Sequence, residues 1–167
     1  MRVLAIIDRL NDAAGEVAKW LAIALVGLTT FEVVARYVFN APTTWGYQLT
    51  IAVAASLFAL SWGYAERTGA HIRVDFIFAR LSKRWQATID VVCYILLTFP
   101  LLTVLIRGAF TQTLWSFRVH EVMSESFWYP PAQPLRIIVL IGACLVFLQF
   151  TASFVRRVHY LAKGASR

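Results

Sequence analysis

The sequence predicts an all-α membrane protein with four transmembrane helices, and three observations support this fold class. Of the 167 residues, 59% are hydrophobic and only 15% are charged, whereas soluble domains carry about 25% charged residues. The mean hydropathy is +0.65. Long apolar runs recur along the chain, and a helix of ~20 such residues crosses the ~30 Å of hydrocarbon in a bilayer. A chain of this length is expected to form one domain.

The first element is an N-terminal segment, residues 3–17, that precedes the apolar runs. Its apolar residues recur near one helical face, which predicts a short amphipathic helix on the membrane surface that leads into the first span. Charged side chains interrupt this segment, so we do not expect a signal peptide. The four predicted spans are residues 18–39, 45–65, 86–107 and 132–155.

The connections between the spans have distinct compositions. Residues 40–44 form a tight outer turn with proline and threonines. In the loop at 66–85, Val74, Ile77, Leu81 and Trp85 recur at helical spacing and predict an interfacial helix, although an alternating strand pattern fits part of it. Residues 108–131 form the largest outer connection. Pro100 is expected to kink span three.

Lysine and arginine set the expected orientation. Twelve of them lie in the N-terminal segment, the 66–85 loop and the C-terminal tail, against four on the other side. This bias predicts that both termini and the 66–85 loop are cytoplasmic. The net charge of +7 is then explained by topology and by contact with phospholipids, and not by nucleic-acid binding. The tryptophans fall at or just outside the predicted span ends, as expected of interfacial side chains: Trp20, Trp45, Trp62, Trp85, Trp115 and Trp128.

Two opposite charges inside the first span are candidates for chemistry. Glu32 and Arg36 are four positions apart, so a helix brings them to one face near its outer end. An unpaired charge in hydrocarbon costs ~2.5–3.5 kcal/mol on insertion scales. The two residues either form a coupling-ion or proton site, or make a structural pair or a contact with another subunit. The structural interpretation is favoured because the other spans offer no second buried carboxylate.

A further polar group lies on the cytoplasmic side, where the chain leaves span two. It contains His71, Arg73 and Asp75, and a metal site would require three or more ligands, which this group does not offer. We expect these residues to cap a surface helix, to pair charges, or to contact headgroups or a partner subunit. Asp90, one turn into span three, is expected to face an interface or to reach a basic residue such as Arg84 or Arg73.

The chain carries no nucleophile–base arrangement and no phosphate-binding loop, so we expect neither an enzyme nor a cofactor or metal in it. Its spans also hold few of the polar groups that a substrate pathway needs. These features favour a helper subunit.

Three blocks of sequence follow one another in a characteristic order. They are RYVFN at 36–40 followed by Trp45, GAHIRVD at 69–75, and PPAQPLR at 130–136. With the four spans, they resemble the small membrane subunit (the Q subunit, DctQ-like) of tripartite ATP-independent periplasmic (TRAP) transporters. The resemblance covers nearly the whole chain.

The resemblance implies a function and a set of partners. In such systems a periplasmic binding protein captures an organic acid, such as a C4-dicarboxylate, and delivers it to a membrane pair in the bacterial inner membrane. The large polytopic subunit carries the substrate and sodium sites and moves like an elevator. The small subunit packs against the scaffold of the large one, anchors it and helps to dock the binding protein. Residues 40–46 and 108–131 are then expected to face the periplasm.

This interpretation assigns candidate residues to two surfaces. The structural and subunit-interface candidates are Glu32, Arg36, Trp45, Gln48, His71, Arg73, Asp75 and Asp90. The periplasmic docking candidates are Arg118, Glu121, Glu125 and Trp128.

The sequence departs from the family pattern after the tryptophan of span two. The family commonly has an acidic pair there, whereas this chain has Gln48 as a neutral counterpart, and Arg136 stands where lysine is common. Two other functions stay open at this point: a self-contained four-span transporter that oligomerises around Glu32, and the membrane anchor of a redox enzyme. The late position of Glu32 in its span disfavours the first, and the lack of a histidine inside a span disfavours the second.

Overall fold

The computed structural model describes residues 2–70 and 82–164, and this part of the chain consists of helices and connections without a β-strand. The helices are α1 (Arg2–Tyr37), α2 (Gly46–Thr68), α3 (Lys83–Cys93), α4 (Phe99–Arg118) and α5 (Gln133–Gly164). A π-helical segment, Tyr94–Thr98, joins α3 to α4 into one third helix. Four helices are long and apolar enough to cross a membrane, which confirms the predicted fold class. The predicted interfacial helix between spans two and three falls largely outside the described residues.

The first helix is longer than a bilayer requires. Its 36 residues correspond to ~54 Å at ~1.5 Å per residue, against ~30 Å of hydrocarbon. The sequence predicted a short surface helix ahead of span one, but residues 3–17 continue directly into that span, since no proline or turn signal separates them. Val3 and Leu10, from the apolar face of this segment, are exposed. The residues that α1 buries are small or polar: Asn11, Ala14, Gly15, Ala18 and Ala35.

The third helix also extends past its predicted end. The sequence placed the end of span three at 107, but α4 continues to Arg118, so residues 108–118 of the predicted outer connection are helical. Two contacts with α5 hold these turns. Thr113 Oγ1 donates to the Arg136 carbonyl at 3.3 Å, and Gln133 Nε2 donates to the Ser116 carbonyl at 3.2 Å. These partners are 23 and 17 positions apart in sequence, so local hydropathy could not reveal them.

The sequence predicted a kink at Pro100, and the structure shows a change of helix type next to this residue. Proline has no amide hydrogen to donate to the preceding turn. The π-helical segment lies directly before it, and the Phe99 amide donates to the Tyr94 carbonyl five residues back. The Phe99 ring meets the rings of Phe147 and Phe154 on α5, at centroid distances of 5.7 and 5.5 Å. The wider turn therefore lies where the third helix packs on α5.

The four spanning helices are unequally covered. α2 packs on α1 and on α5, and the third helix packs on α5, while α1 and the third helix make no extensive contact with each other within the described residues. In their most apolar stretches, 22% and 28% of the residues of α2 and α5 are buried, against 6% and 11% for α1 and the third helix. The chain thus has two central helices and two helices that are mostly uncovered.

Small residues bring the helix backbones close together. A Cβ added at Gly142 of α5 would lie 2.7 Å from the carbonyl carbon of Ala59 on α2. A Cβ at Gly15 of α1 would lie 2.6 Å from the Tyr64 ring. In lipid, close backbone contact and interhelical hydrogen bonds replace the hydrophobic effect as the force that joins helices. The glycines therefore determine which faces can meet.

Buried amide side chains add specificity to the same contacts. The Asn11 side chain on α1 and Gln149 on α5 are fully buried, and Asn11 Nδ2 donates to Gln149 Oε1 at 2.9 Å. On the neighbouring interface, the Tyr94 hydroxyl donates to Glu66 of α2 at 3.2 Å. Each bond fixes the rotation of two helices, since a slip of one residue would separate the partners.

We predict that Gly142→Ala destabilises the chain by about 1–3 kcal/mol, the usual effect of overpacking a tight contact. The new methyl group meets the Ala59 backbone, which cannot move aside as a flexible side chain can. Thermal unfolding of the purified protein in mild detergent measures this effect.

Gly27→Ala is the matched control for this change. It is also a glycine within a helix, but an added Cβ there meets no atom within 4 Å. We expect its melting temperature to be unchanged or slightly higher, because alanine favours helix. Equal melting temperatures for the two variants would contradict the close α2–α5 contact.

Candidate functional site

A carboxylate at the outer end of α1 closes the turn to α2. Arg36 Nη2 donates to Glu32 Oε1 at 2.9 Å, and the Thr43 hydroxyl donates to Glu32 Oε2. Thr43 Oγ1 in turn accepts a hydrogen bond from the Gly46 amide at 3.1 Å, at the start of α2. Glu32 and Arg36 therefore pair with each other, and both oxygens of the carboxylate are engaged within the turn.

Two neighbouring residues keep α2 close to this carboxylate. A Cβ at position 46 would lie 3.0 Å from the Glu32 carboxyl carbon, so glycine is needed for the approach. Trp45 stacks on Phe31 of α1, with ring centroids 5.9 Å apart and planes inclined by 16°. Trp45, which the sequence marked as a span boundary, thus also holds the two helix ends together.

Gln48 stands apart from this network. Its side chain is fully buried, and neither polar atom of its amide has a hydrogen-bond partner among the residues that the structure describes. A buried polar group without a partner costs about 1–3 kcal/mol. The Gln48 side chain is therefore buried in the first turn of α2 and takes no part in the hydrogen bonds of Glu32.

A second group of charges, which the sequence did not single out, joins α1, α2 and α5 near their inner ends. Asp8 of α1 pairs with Arg156 of α5 at 2.5 Å and lies 3.9 Å from Arg67 of α2. Arg67 also pairs with Asp12, and Gln149 Nε2 donates to Asp8 at 3.2 Å. The sequence could have indicated this group only through Asp8 and Asp12, which are four positions apart and share a helical face. The two arginines near Asp8 are 59 and 148 positions away from it in sequence.

Asp90 on the third helix has a basic partner on α5. Its Oδ2 atom lies 3.2 Å from Nε of Arg157, and the Asp90 side chain is only 12% exposed. The expected partners from the sequence were basic residues such as Arg84 or Arg73. Arg157 was not among them, because it lies 67 positions from Asp90 in sequence. This ion pair joins the inner ends of the third helix and α5. His71, Arg73 and Asp75 lie outside the described residues.

The outer connection, residues 119–132, folds back on itself. Val122 and Pro131 form an isolated β-bridge, the Met123 amide donates to the Pro130 carbonyl at 2.9 Å, and the Ala132 amide donates to the Glu121 carbonyl at 2.9 Å. These bonds bring the two ends of the connection together above α4 and α5.

Glu121 ties this connection to α5. Arg136 donates to it twice, from Nη2 at 2.7 Å and from Nε at 3.2 Å. The guanidinium of Arg136 holds the pKa of the Glu121 carboxyl below its usual value, and partial burial opposes this effect. The bidentate geometry makes this a strong type of ion pair. Glu121, predicted as a docking residue, thus has its carboxylate committed to Arg136.

The other docking candidates are open to solvent or partners. Arg118 and Glu125 are exposed, and Trp128 is 40% exposed. Two neighbours that the sequence did not include among the candidates are more exposed still: Phe127 at 88% and Tyr129 at 59%. The sequence could have indicated these two residues, because they are adjacent to Trp128. Residues 118–129 therefore present aromatic rings and both signs of charge on one short stretch.

We predict that acid loosens this connection through Glu121. Because its pKa is lowered in the folded state, its stabilising effect is complete above the ordinary glutamate pKa of about 4.3 and is lost as the pH falls through the lowered value. Hydrogen exchange of the peptide that contains Met123 and Ala132, measured between pH 7 and pH 3, should show protection lost at the acid end.

Glu121→Gln should remove this pH response and leave the same peptide less protected at neutral pH. Glu125→Gln, on the same connection, is the matched control and should keep the wild-type profile. An unchanged profile in Glu121→Gln would show that the ion pair does not hold the connection.

Among the described residues, no cluster of three or more histidine, cysteine, aspartate or glutamate side chains could hold a metal ion.

Comparison with known proteins agrees with this architecture. The family model described as "Tripartite ATP-independent periplasmic transporters, DctQ component" matches residues 25–159. A comparison with curated individual proteins gives no match. Since the matched region covers most of the chain, from within α1 to within α5, the protein belongs to the DctQ family, the non-catalytic small component of TRAP transporters.

Proposed function

We propose that this chain is the scaffolding and anchoring subunit of a TRAP transporter in the bacterial inner membrane. The observation that carries this proposal is the unequal covering of its helices. α2 and α5 are packed centrally, while α1 and the third helix leave most of their apolar surface uncovered. Such surfaces suit lateral packing against a large polytopic subunit and against phospholipids.

The use of the carboxylates supports a scaffold more than a transport pathway. Ion pathways through membrane proteins need polar groups that can bind and release their ion. Asp8, Glu32 and Glu121 instead each bind an arginine of the same chain. The two engaged oxygens of Glu32 also disfavour a self-contained transporter that exchanges protons at this residue.

We therefore assign sodium coupling and substrate binding to the large subunit. The family membership supports this division, because the DctQ protein is one component of a three-part system. On this view the binding protein and the large subunit select the substrate, an organic acid such as a C4-dicarboxylate. The small chain contributes area in the membrane and a surface outside it.

We place the docking surface for the binding protein on residues 118–129. Phe127, Trp128 and Tyr129 supply exposed rings, and Arg118 and Glu125 supply charge. Aromatic and arginine side chains contribute most to protein–protein binding. The Glu121–Arg136 ion pair would hold this surface in one conformation, which lowers the entropy lost on binding.

We predict that the chain co-purifies in mild detergent with a much larger polytopic subunit. The uncovered face of either α1 or the third helix is large enough for a lateral contact with it. Affinity purification of a tagged small chain from native membranes, followed by mass spectrometry of the co-eluting protein, measures this. Uptake of the substrate should be lost when the small chain is deleted. A stable lone species, together with full uptake in the deletion strain, would contradict the proposal.

We predict that Phe127→Ala weakens docking of the binding protein about tenfold, the scale of a single hot-spot residue. The reason is that Phe127 is almost fully exposed and can be buried only by a partner. Binding of the purified binding protein to the membrane complex in lipid nanodiscs measures this change.

Phe58→Ala is the matched control for the docking test. Phe58 is also a well exposed phenylalanine, at 61%, but it lies within the α2 helix and away from the outer connection. Its substitution should leave docking unchanged. Equal binding by the two variants would move the docking surface away from residues 118–129.

A further inference from the structure

Arg107 lies within the apolar surface of the third helix. It belongs to a stretch, Arg84–Arg118, that is long and apolar enough to cross a membrane. Along α4 it is preceded by Leu101 and Val104, which are 70% and 69% exposed, and followed by Phe110 and Leu114, which are 53% and 43% exposed. The arginine itself is also exposed. It therefore lies in a mostly apolar, outward-facing surface, in which the exposed Thr103 and Thr111 are its polar neighbours one turn away on either side.

The contacts of the third helix with α5 give the depth of Arg107. On its inner side, Phe99 contacts Phe147, and on its outer side, Thr113 contacts the Arg136 carbonyl. Because the two helices run antiparallel, Arg107 lies level with residues 139–142 of α5. Gly142 packs on Ala59 of α2.

This level lies well inside the bilayer. Ala59 follows Trp45, the outer boundary of span two, by 14 positions, or ~20 Å at ~1.5 Å per residue. A hydrocarbon core of ~30 Å has its midplane at ~15 Å. Arg107 is therefore near the middle of the membrane. Basic residues near helix ends can extend their side chains to the interface. Arg107 is too far from a helix end and from the interface for this.

Arg107 has no ion-pair or hydrogen-bond partner anywhere in residues 2–70 and 82–164. Several other arginines of the apolar stretches do have one: Arg36 binds Glu32, Arg136 binds Glu121, and Arg156 and Arg157 bind aspartates. Charged side chains at membrane depth are almost always paired. A guanidinium in this position therefore calls for an anion from outside the described residues.

The next residue, Gly108, allows a close approach. A Cβ added there would meet no atom of the described residues within 4 Å, so the glycine is not required by any contact among them. Exposed glycines in membrane helices are typical of helix–helix interfaces, where they let a second backbone come near.

We propose that Arg107 binds a carboxylate on a transmembrane helix of the large subunit, and that this helix crosses the third helix at Gly108. The proposal rests on the function proposed above, and it assigns the third helix as the face that the large subunit covers. A phospholipid phosphate is the other anion available in a membrane. It lies at the headgroup level, roughly half a bilayer thickness from Arg107, and it makes no use of a glycine.

The test compares complexes purified through a tag on the small chain. In Arg107→Leu, the amount of large subunit recovered per small chain should fall about tenfold or more, because the partner carboxylate is left buried without its cation. Arg107→Lys should restore part of the recovery, and Arg107→Gln should not. Arg9→Leu is the matched control. Arg9 is also an exposed arginine, but it lies on α1, and its substitution should leave recovery unchanged.

Glycine variants test the position of the crossing. Gly108→Leu should reduce recovery of the large subunit, since the added side chain fills the contact. Gly27→Leu, at an equally open glycine of α1, should not. Size-exclusion profiles of the isolated small chain, alike for all variants, separate this effect from misfolding.

The outcomes distinguish this inference from the function on which it rests. If the wild-type chain recovers no large subunit, the proposed function fails. If the wild type recovers it and Arg107→Leu does so equally, the role of Arg107 is overturned. Loss of recovery in Gly27→Leu but not in Gly108→Leu would assign the interface to α1. An intact complex from which Arg107→Leu removes a bound phospholipid, seen by native mass spectrometry, would replace the carboxylate with a lipid phosphate.

Discussion

The close approach of α2 and α5 is the contact on which the rest of the structure depends. Gly142 meets the backbone of Ala59 at this contact, and a larger residue in its place would force the two helices apart. A hydrocarbon solvent is as apolar as leucine, so large apolar side chains gain little by leaving it. The chain accordingly buries mainly alanine, glycine and amide side chains between its helices and leaves most of its leucines and valines exposed or half-buried, with Leu102 and Val146 as buried exceptions. α1 packs mainly on α2 of this central pair, and the third helix packs on α5.

Charges fasten the two ends of the bundle. At the outer side, Glu32 closes the α1–α2 turn and Glu121 ties the outer connection to Arg136. At the inner side, Asp8 and Asp90 bind arginines of α5. Close packing in the middle with ion pairs at the ends gives a rigid unit, since the middle fixes the faces and the ends fix the register. Rigidity of this kind suits the scaffolding function proposed above.

The third helix differs in this respect, because it carries an arginine that has no partner among the described residues. Its Asp90 is paired at the inner end, and its last turns are held by α5, yet Arg107 between them faces outward in an apolar surface. In the sequence-based prediction, Arg107 was the last residue of span three, next to an outer loop. The helix continues to Arg118, and Arg107 therefore lies within it.

The sequence by itself determined the number of spans, because an apolar run of ~20 residues has few other uses, and it placed Glu32 next to Arg36, because a spacing of four is a local property of the helix. Three blocks of residues also sufficed to indicate the family. The tertiary structure alone decided that α1 is continuous, that residues 108–118 are helical, and that Asp8, Asp90 and Glu121 have partners on α5. These outcomes depend on contacts between residues distant in sequence, and hydropathy or periodicity within one segment carries no information about which other segment will lie beside it.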